Sequence, residues 1–215
     1  QNSGGDMTIS AEGNIEIAGN MENKSDANLT VSDGSLSVSG AMTNESNAGT
    51  LTLNVDRWVV SGGSQQTYSF VNNGDLYATV SGRTYMEYGM NLGGMTNDNV
   101  FSLDTGTLAF GSNAFESFAN SLTNFNLAVR DGDIDVSSIV NGVNSAGGVN
   151  QDAQMSILAE NVYVTTVRNQ GDSLVIKAAD LESGYDVVVP AEVEQVGNLY
   201  VYGQVAGETG ATTTL

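Results

Sequence analysis

Asp131, Asp133 and Asp135 stand at alternate positions in Arg130-Asp131-Gly132-Asp133-Ile134-Asp135, the most chemical-looking phrase in the chain. Hard carboxylate oxygens at this spacing are how acidic loops begin to wrap Ca²⁺. The likeness stops there, because an EF-type loop needs Gly at its sixth position and a bidentate Glu at its twelfth, where this chain has Val136 and Gly142. What remains is a candidate weak calcium site at Asp131, Asp133 and Asp135. The plainer arrangement has Leu127, Val129, Ile134 and Val136 in a strand pair whose outer face the three carboxylates line.

Catalytic chemistry has little to work with. The chain has neither His nor Cys, which removes Ser-His and Cys-His nucleophiles, imidazole and thiolate metal ligands, and the usual acid-base group near neutral pH. Glycoside cleavage would need two carboxylates about 5–9 Å apart with one pKa raised by burial, and nothing in the sequence points to such a pair. A lyase would need basic residues gathered around an acidic sugar, but Lys24, Arg57, Arg83, Arg130, Arg168 and Lys177 are scattered. The expectation is a non-enzyme that requires no cofactor, with calcium the one candidate metal.

Six Lys and Arg against 25 Asp and Glu give a net charge of −19. Such a chain repels phosphate backbones and anionic headgroups, so neither nucleic acid nor a membrane surface is an expected partner. No stretch approaches the roughly 20 apolar residues of a spanning helix. Without Cys, an oxidising compartment is permitted but not demonstrated. The start at Gln1 is read as the product of a removed export signal.

Aromatic residues gather between Trp58 and Tyr88: Tyr68, Phe70, Tyr77 and Tyr85 lie among them, and Tyr200 and Tyr202 form a later pair. Exposed, they would bind sugar faces or partner proteins; buried, they fill a core. Met86, Met90 and Met95 would suit an adaptable contact surface or loop packing. Over Asn113-Ala114-Phe115-Glu116, a capping-box spacing followed by Phe118, Ala119 and Leu122 predicts one short helix.

The elements that must position these groups are β-strands. With 26 Gly, one Pro and 40% apolar residues, the composition favours short strands and tight turns in one β-rich domain spanning residues 1–215. From Gly13 the chain reads G-N-I-E-I-A-G-N-M-E-N, and from Gly34, 21 residues on, G-S-L-S-V-S-G-A-M-T-N. Ile15 and Ile17 match Leu36 and Val38, Met21 matches Met42, and Asn23 matches Asn44. After a one-residue slip at Gly49, Leu29 and Val31 match Leu51 and Leu53. A period near that length is one coil of a β-solenoid, in which equivalent apolar residues stack in ladders about 4.8 Å apart. A β-sandwich of successive hairpins is the alternative. Gly74-Asp75-Leu76, Gly171-Asp172-Ser173-Leu174 and Gly197-Asn198-Leu199 repeat the opening at irregular spacing, so intervening coils should carry insertions.

This G-x-I/L-x-I/V-x-G phrase, with its Asn, Asp and Ser turns, resembles the coils of right-handed parallel β-helix surface proteins of bacteria, the filamentous-haemagglutinin and autotransporter-passenger group. The resemblance covers residues 13–53 well and 171–203 weakly. It implies a secreted stalk, adhesin or surface-layer element. The expected role is therefore a structural subunit of an extracellular filament or surface layer, partnered by copies of itself through β-mediated contacts. Gln1, Asn2 and Ser3 at one end and Thr212, Thr213, Thr214 and Leu215 at the other are the expected self-assembly residues. The alternative role is an adhesin presenting a binding surface to glycans or host proteins.

Overall fold

The structure, a computed structural model, describes residues 5–45, 49–92, 99–111, 117–120, 122, 124–143, 148–160, 162–178, 186–188, 193–195, 198–202 and 204–205. It divides into two compact units, Gln1–Phe115 and Glu116–Leu215. Among the described residues every regular element is a strand, and no helix is long and apolar enough to cross a membrane.

Unit 1 contains β1 (Met7–Ala11), β2 (Ile15–Ile17), β3 (Met21–Asn23), β4 (Ala27–Val31), β5 (Ser35–Val38) and β6 (Met42–Asn44). It continues with β7 (Thr50–Val55), β8 (Arg57–Val60), β9 (Phe70–Asn72), β10 (Asp75–Met86), β11 (Met90–Asn91) and β12 (Val100–Phe110). The pairings are parallel and run from coil to coil: β1 to β4 to β7 to β10 to β12 on one face, β2 to β5 to β8 to the end of β10 on the next, and β3 to β6 to β9 to β11 on the third. This is a parallel β-solenoid. Hairpins would have paired antiparallel, so the sandwich arrangement is not the one adopted.

The reason lies in the alternation of side chains. Along β4 and β7, Ala27, Leu29, Val31, Leu51, Leu53 and Val55 point inward and are buried, while Asn28 and Asn54 point to solvent. Ala27 stacks on Leu51, which stacks on Leu76, and Leu36 stacks on Trp58. Each fully buried Leu contributes about 1.5–3 kcal/mol relative to its exposed state. Trp58 meets Phe70 edge to face, ring centroids 5.0 Å apart, which closes the core between the second and third faces. The Ile15–Leu36, Ile17–Val38, Met21–Met42 and Asn23–Asn44 matches hold residue for residue.

The match after Gly49 needs correction: Leu29 pairs with Leu53, not Leu51, and Ala27 pairs with Leu51. A slip of two residues leaves every side chain on its proper face, so alternation alone does not exclude it.

Unit 2 contains β13 (Ser117–Asn120), β14 (Asn124–Val129), β15 (Ile134–Asn141), β16 (Gln154–Ala159), β17 (Val162–Asn169), β18 (Ser173–Ala178), β19 (Asp186–Val188), β20 (Val193–Gln195), β21 (Asn198–Tyr202) and β22 (Gln204–Val205). Its parallel ladders run β14 to β16 to β18 to β21 and β13 to β15 to β17, the last pairing with both β19 and β20. Insertions occur as expected: residues 61–69 interrupt unit 1 between β8 and β9, and Val143 bridges Val149 in unit 2.

The predicted helix is not formed among the described residues. Ser117–Asn120 is strand β13, with Phe118 opposite Ile139 and Asn120 opposite Asn141. Phe118, Asn120 and Leu122 also alternate at period two, and the ladder on β15 rewards that period over the helical one. Asn113, Ala114, Phe115 and Glu116 lie outside the described residues, as does Met95.

Candidate functional site

Turn side chains absorb much of the chain's polar chemistry. The Asn14 Oδ1 accepts from the Ser35 N–H at 3.0 Å and the Asn20 Oδ1 from the Ala41 N–H at 3.0 Å. The Asp26 carboxylate accepts from the Thr50 N–H at 2.7 Å, and the Asp75 carboxylate from the Val100 N–H at 2.9 Å. Each turn thus staples the start of a strand in the next coil, satisfying a donor the ladder leaves over.

Asp131, Asp133 and Asp135 are all exposed, at and just before the start of β15. Among the described residues no three acidic side chains converge to hold a metal ion. Gln1, Asn2, Ser3, Thr212, Thr213, Thr214 and Leu215 lie outside the described residues. Of the aromatics, Trp58 and Phe70 are core, whereas Tyr77 is 45% exposed on the outer face of β10. Arg83 lies 4.8 Å from the Tyr85 ring centroid, and the Tyr85 hydroxyl donates to the Glu87 carboxylate. That bond, then burial and the Glu87 charge, hold the Tyr85 phenol above its ordinary pKa, with Arg83 opposing. Met86 is buried and Met90 half-buried.

A feature that sequence reasoning missed runs through both units. Asn23, Asn44 and Asn72 are fully buried, as are Asn120, Asn141 and Asn169 to within 1%. Nδ2 of Asn23 donates to Oδ1 of Asn44 at 2.9 Å, and Nδ2 of Asn44 to Oδ1 of Asn72 at 2.8 Å. In unit 2 the Asn120–Asn141 and Asn141–Asn169 bonds measure 2.7 and 2.9 Å. The signal was an apolar residue two places before each Asn: Met21, Met42, Phe70, Phe118, Ile139 and Val167. These ladders fix register, because a coil displaced by one position would leave buried amides unpaired.

The remaining feature is the first edge of unit 1. Among the described residues β1 pairs only with β4, β2 only with β5 and β3 only with β6. The Met7 N–H donates to the Asp26 carbonyl at 2.9 Å, and the Ala11 carbonyl accepts from the Ser32 N–H at 3.0 Å. In a parallel ladder, alternate residues address opposite neighbours, so the backbone groups of Thr8 and Ser10 face away from β4. Met7, Ile9, Ala11, Ile15 and Ile17 are only half-buried, whereas Ala27, Leu29, Val31, Leu36 and Val38 one coil further in are buried. A surface hollow of about 220 Å³ spans β1, β4 and β7, with Asp6, Thr8, Asp26, Asn28, Thr50 and Thr52 among its lining. Comparison of the chain with protein-family models, with curated proteins and with solved structures found no match.

Proposed function

We propose that this chain is a structural subunit of an extracellular bacterial assembly, a filament or surface layer, built by homotypic contacts between strand edges, and that it is not an enzyme. One observation carries the reading: the outer edge of β1, with its half-buried apolar row, has no strand beside it among the described residues. Soluble proteins ordinarily blunt such an edge with Lys, Pro or a bulge, and Met7–Ala11 has none of these. The resemblance of the coil phrase to bacterial β-helix surface proteins supports the extracellular setting. The test is size against concentration for the full 215-residue chain, by sedimentation velocity and light scattering. Growth of large species with concentration supports the reading; a monomer at every concentration and salt level overturns it.

Tyr77 favours a second reading, a glycan-binding adhesin. It is 45% exposed and opposite Thr52 on β7 and Ser102 on β12, so hydroxyls flank an aromatic face of the kind that stacks on sugars. Glycan-array binding lost on Tyr77→Ala would support that reading.

A further inference from the structure

Building on the proposed homotypic assembly, we infer that its contact is a head-to-tail seam in which the β21 edge of one copy adds, in parallel, to the β1 edge of the next. Among the described residues, two ladders end at strands of matching character. In unit 1, β1 pairs with β4 alone among the described residues; in unit 2, β21 pairs with β18 alone. The chain contains 25 acidic residues, yet neither Met-Thr-Ile-Ser-Ala of β1 nor Asn-Leu-Tyr-Val-Tyr of β21 carries a charge or a proline. By contrast β2 carries Glu16 and β3 carries Glu22. The seam therefore joins two uncharged strands of a strongly acidic molecule, so like-charge repulsion between the joined strands themselves is small.

Backbone polarity also matches. In unit 1 the carbonyls of core residues accept from the following coil, as Ala11 does from Ser32, Val38 from Ser61 and Val60 from Glu87. Unit 2 follows the same rule, with the Leu122 carbonyl accepting from Gln154. Leu199 and Val201 hold the register positions of Leu174 and Ile176, both core residues, so their N–H and C=O groups address the side of β21 away from β18. Thr8 and Ser10 address the side of β1 away from β4. With Leu199 opposite Met7 and Val201 opposite Ile9, donors meet acceptors, and the half-buried Met7–Ile9 row gains on its open side the kind of neighbour that Ala27 and Leu29 have in β1. A contact between two different edges is heterologous, so it propagates into an open filament unless its rotation closes a ring.

Proline tests the seam, since it deletes an N–H that faces outward while sparing the internal ladder. The full-length variants are Thr8→Pro, Val201→Pro and the control Thr8→Val, with folding checked by circular dichroism and melting temperature. The expected result is that wild type and Thr8→Val assemble and that each proline variant alone is a monomer. A mixture of the two proline variants should stop at a one-to-one heterodimer, because each supplies the edge the other lacks. Assembly of either proline variant alone, or failure of the mixture to pair, overturns the seam while leaving homotypic assembly standing. A monomeric wild type overturns both.

Discussion

Asn23 and Asn44, 21 residues apart and both fully buried, are joined amide to amide at 2.9 Å. Asn44 repeats the gesture toward Asn72, and its Nδ2 also reaches the Asp75 carbonyl at 3.1 Å. One side chain thereby ties three coils together and satisfies a backbone acceptor at the corner where a new coil begins.

Replacing that side chain should be costly. Asn44→Leu removes a donor and an acceptor at once, taking a bond from the buried Asn23 amide and Asn72 oxygen and another from the partly buried Asp75 carbonyl. With about 1–3 kcal/mol for a buried group left unsatisfied, the expected loss is about 3 kcal/mol. Urea denaturation should show a lower midpoint at unchanged slope. Unchanged stability would show that the ladder contributes nothing.

Backbone stacking gives an independent check on the coil register. A Cβ at Gly62 would run into the Gly40 backbone, and one at Gly40 into Gly19 and Asn20, so three glycines lie one above another at the same corner. Gly62→Ala should therefore destabilise by about 1–3 kcal/mol, the usual cost of overpacking. Gly13→Ala, where nothing lies within 4 Å of the added carbon, should be near neutral. Thermal melts of the pair measure the difference.

The fold was legible where spacing stayed constant. Ile15, Ile17, Met21 and Asn23 repeat 21 residues later, and the structure pairs each with its match. Legibility failed where turns changed length. Ala27 pairs with Leu51, an offset of 51 − 27 = 24, so the turn after Asn44 is three residues longer than the one after Asn23, and period two does not report a two-residue error. The later phrase Gly74-Asp75-Leu76 looked like the coil opening of Gly13 and Gly34, yet β10 starts opposite Thr50 and Leu51, in the ladder of β4 and β7. Different faces of a solenoid need the same alternating strand, so a short G-x-φ phrase, φ being any apolar residue, does not say which face it occupies. The candidate edge was legible only as a general liability of solenoid ends; β1 and β21 became specific once their partners were known.

The contrast between the first and second coils yields another prediction. Val38 is 1% exposed between β2 and β8, while Ile17, its partner, is half-buried at the edge. Val38→Asp should unfold unit 1, since a carboxylate there has no partner and no water. Ile17→Asp should leave a folded protein with a lowered melting temperature. Equal effects would contradict the difference in burial.

A pH prediction follows from Tyr85. Its hydroxyl donates to Glu87, and that bond raises the phenol pKa from 10.0. The protonated phenol is the bonded form, so its contribution to stability is whole below pH 10 and declines as pH rises through the higher folded-state value. Ultraviolet titration of the Tyr85→Phe difference should show late ionisation, and Glu87→Gln should move it earlier. No movement would mean that the bond does not form in solution.

Salt should govern assembly in a particular direction. The chain carries −19, so two copies repel as they approach, and the repulsion reaches about 30 Å at 0.01 M salt but only about 10 Å at 0.1 M. Because β1 and β21 are themselves uncharged, salt removes the opposition without weakening the contact. Association should therefore strengthen as NaCl rises from 0.01 to 0.15 M and then level off. Glu16 lies on β2, another strand of the first coil, and Glu16→Gln should strengthen assembly more at low salt than at high salt, whereas the charge of Glu22 on β3 is already met by the Lys24 ammonium at 2.7 Å. A contact held by opposite charges would behave in the reverse sense, so association that falls with added salt would exclude a neutral strand-edge seam.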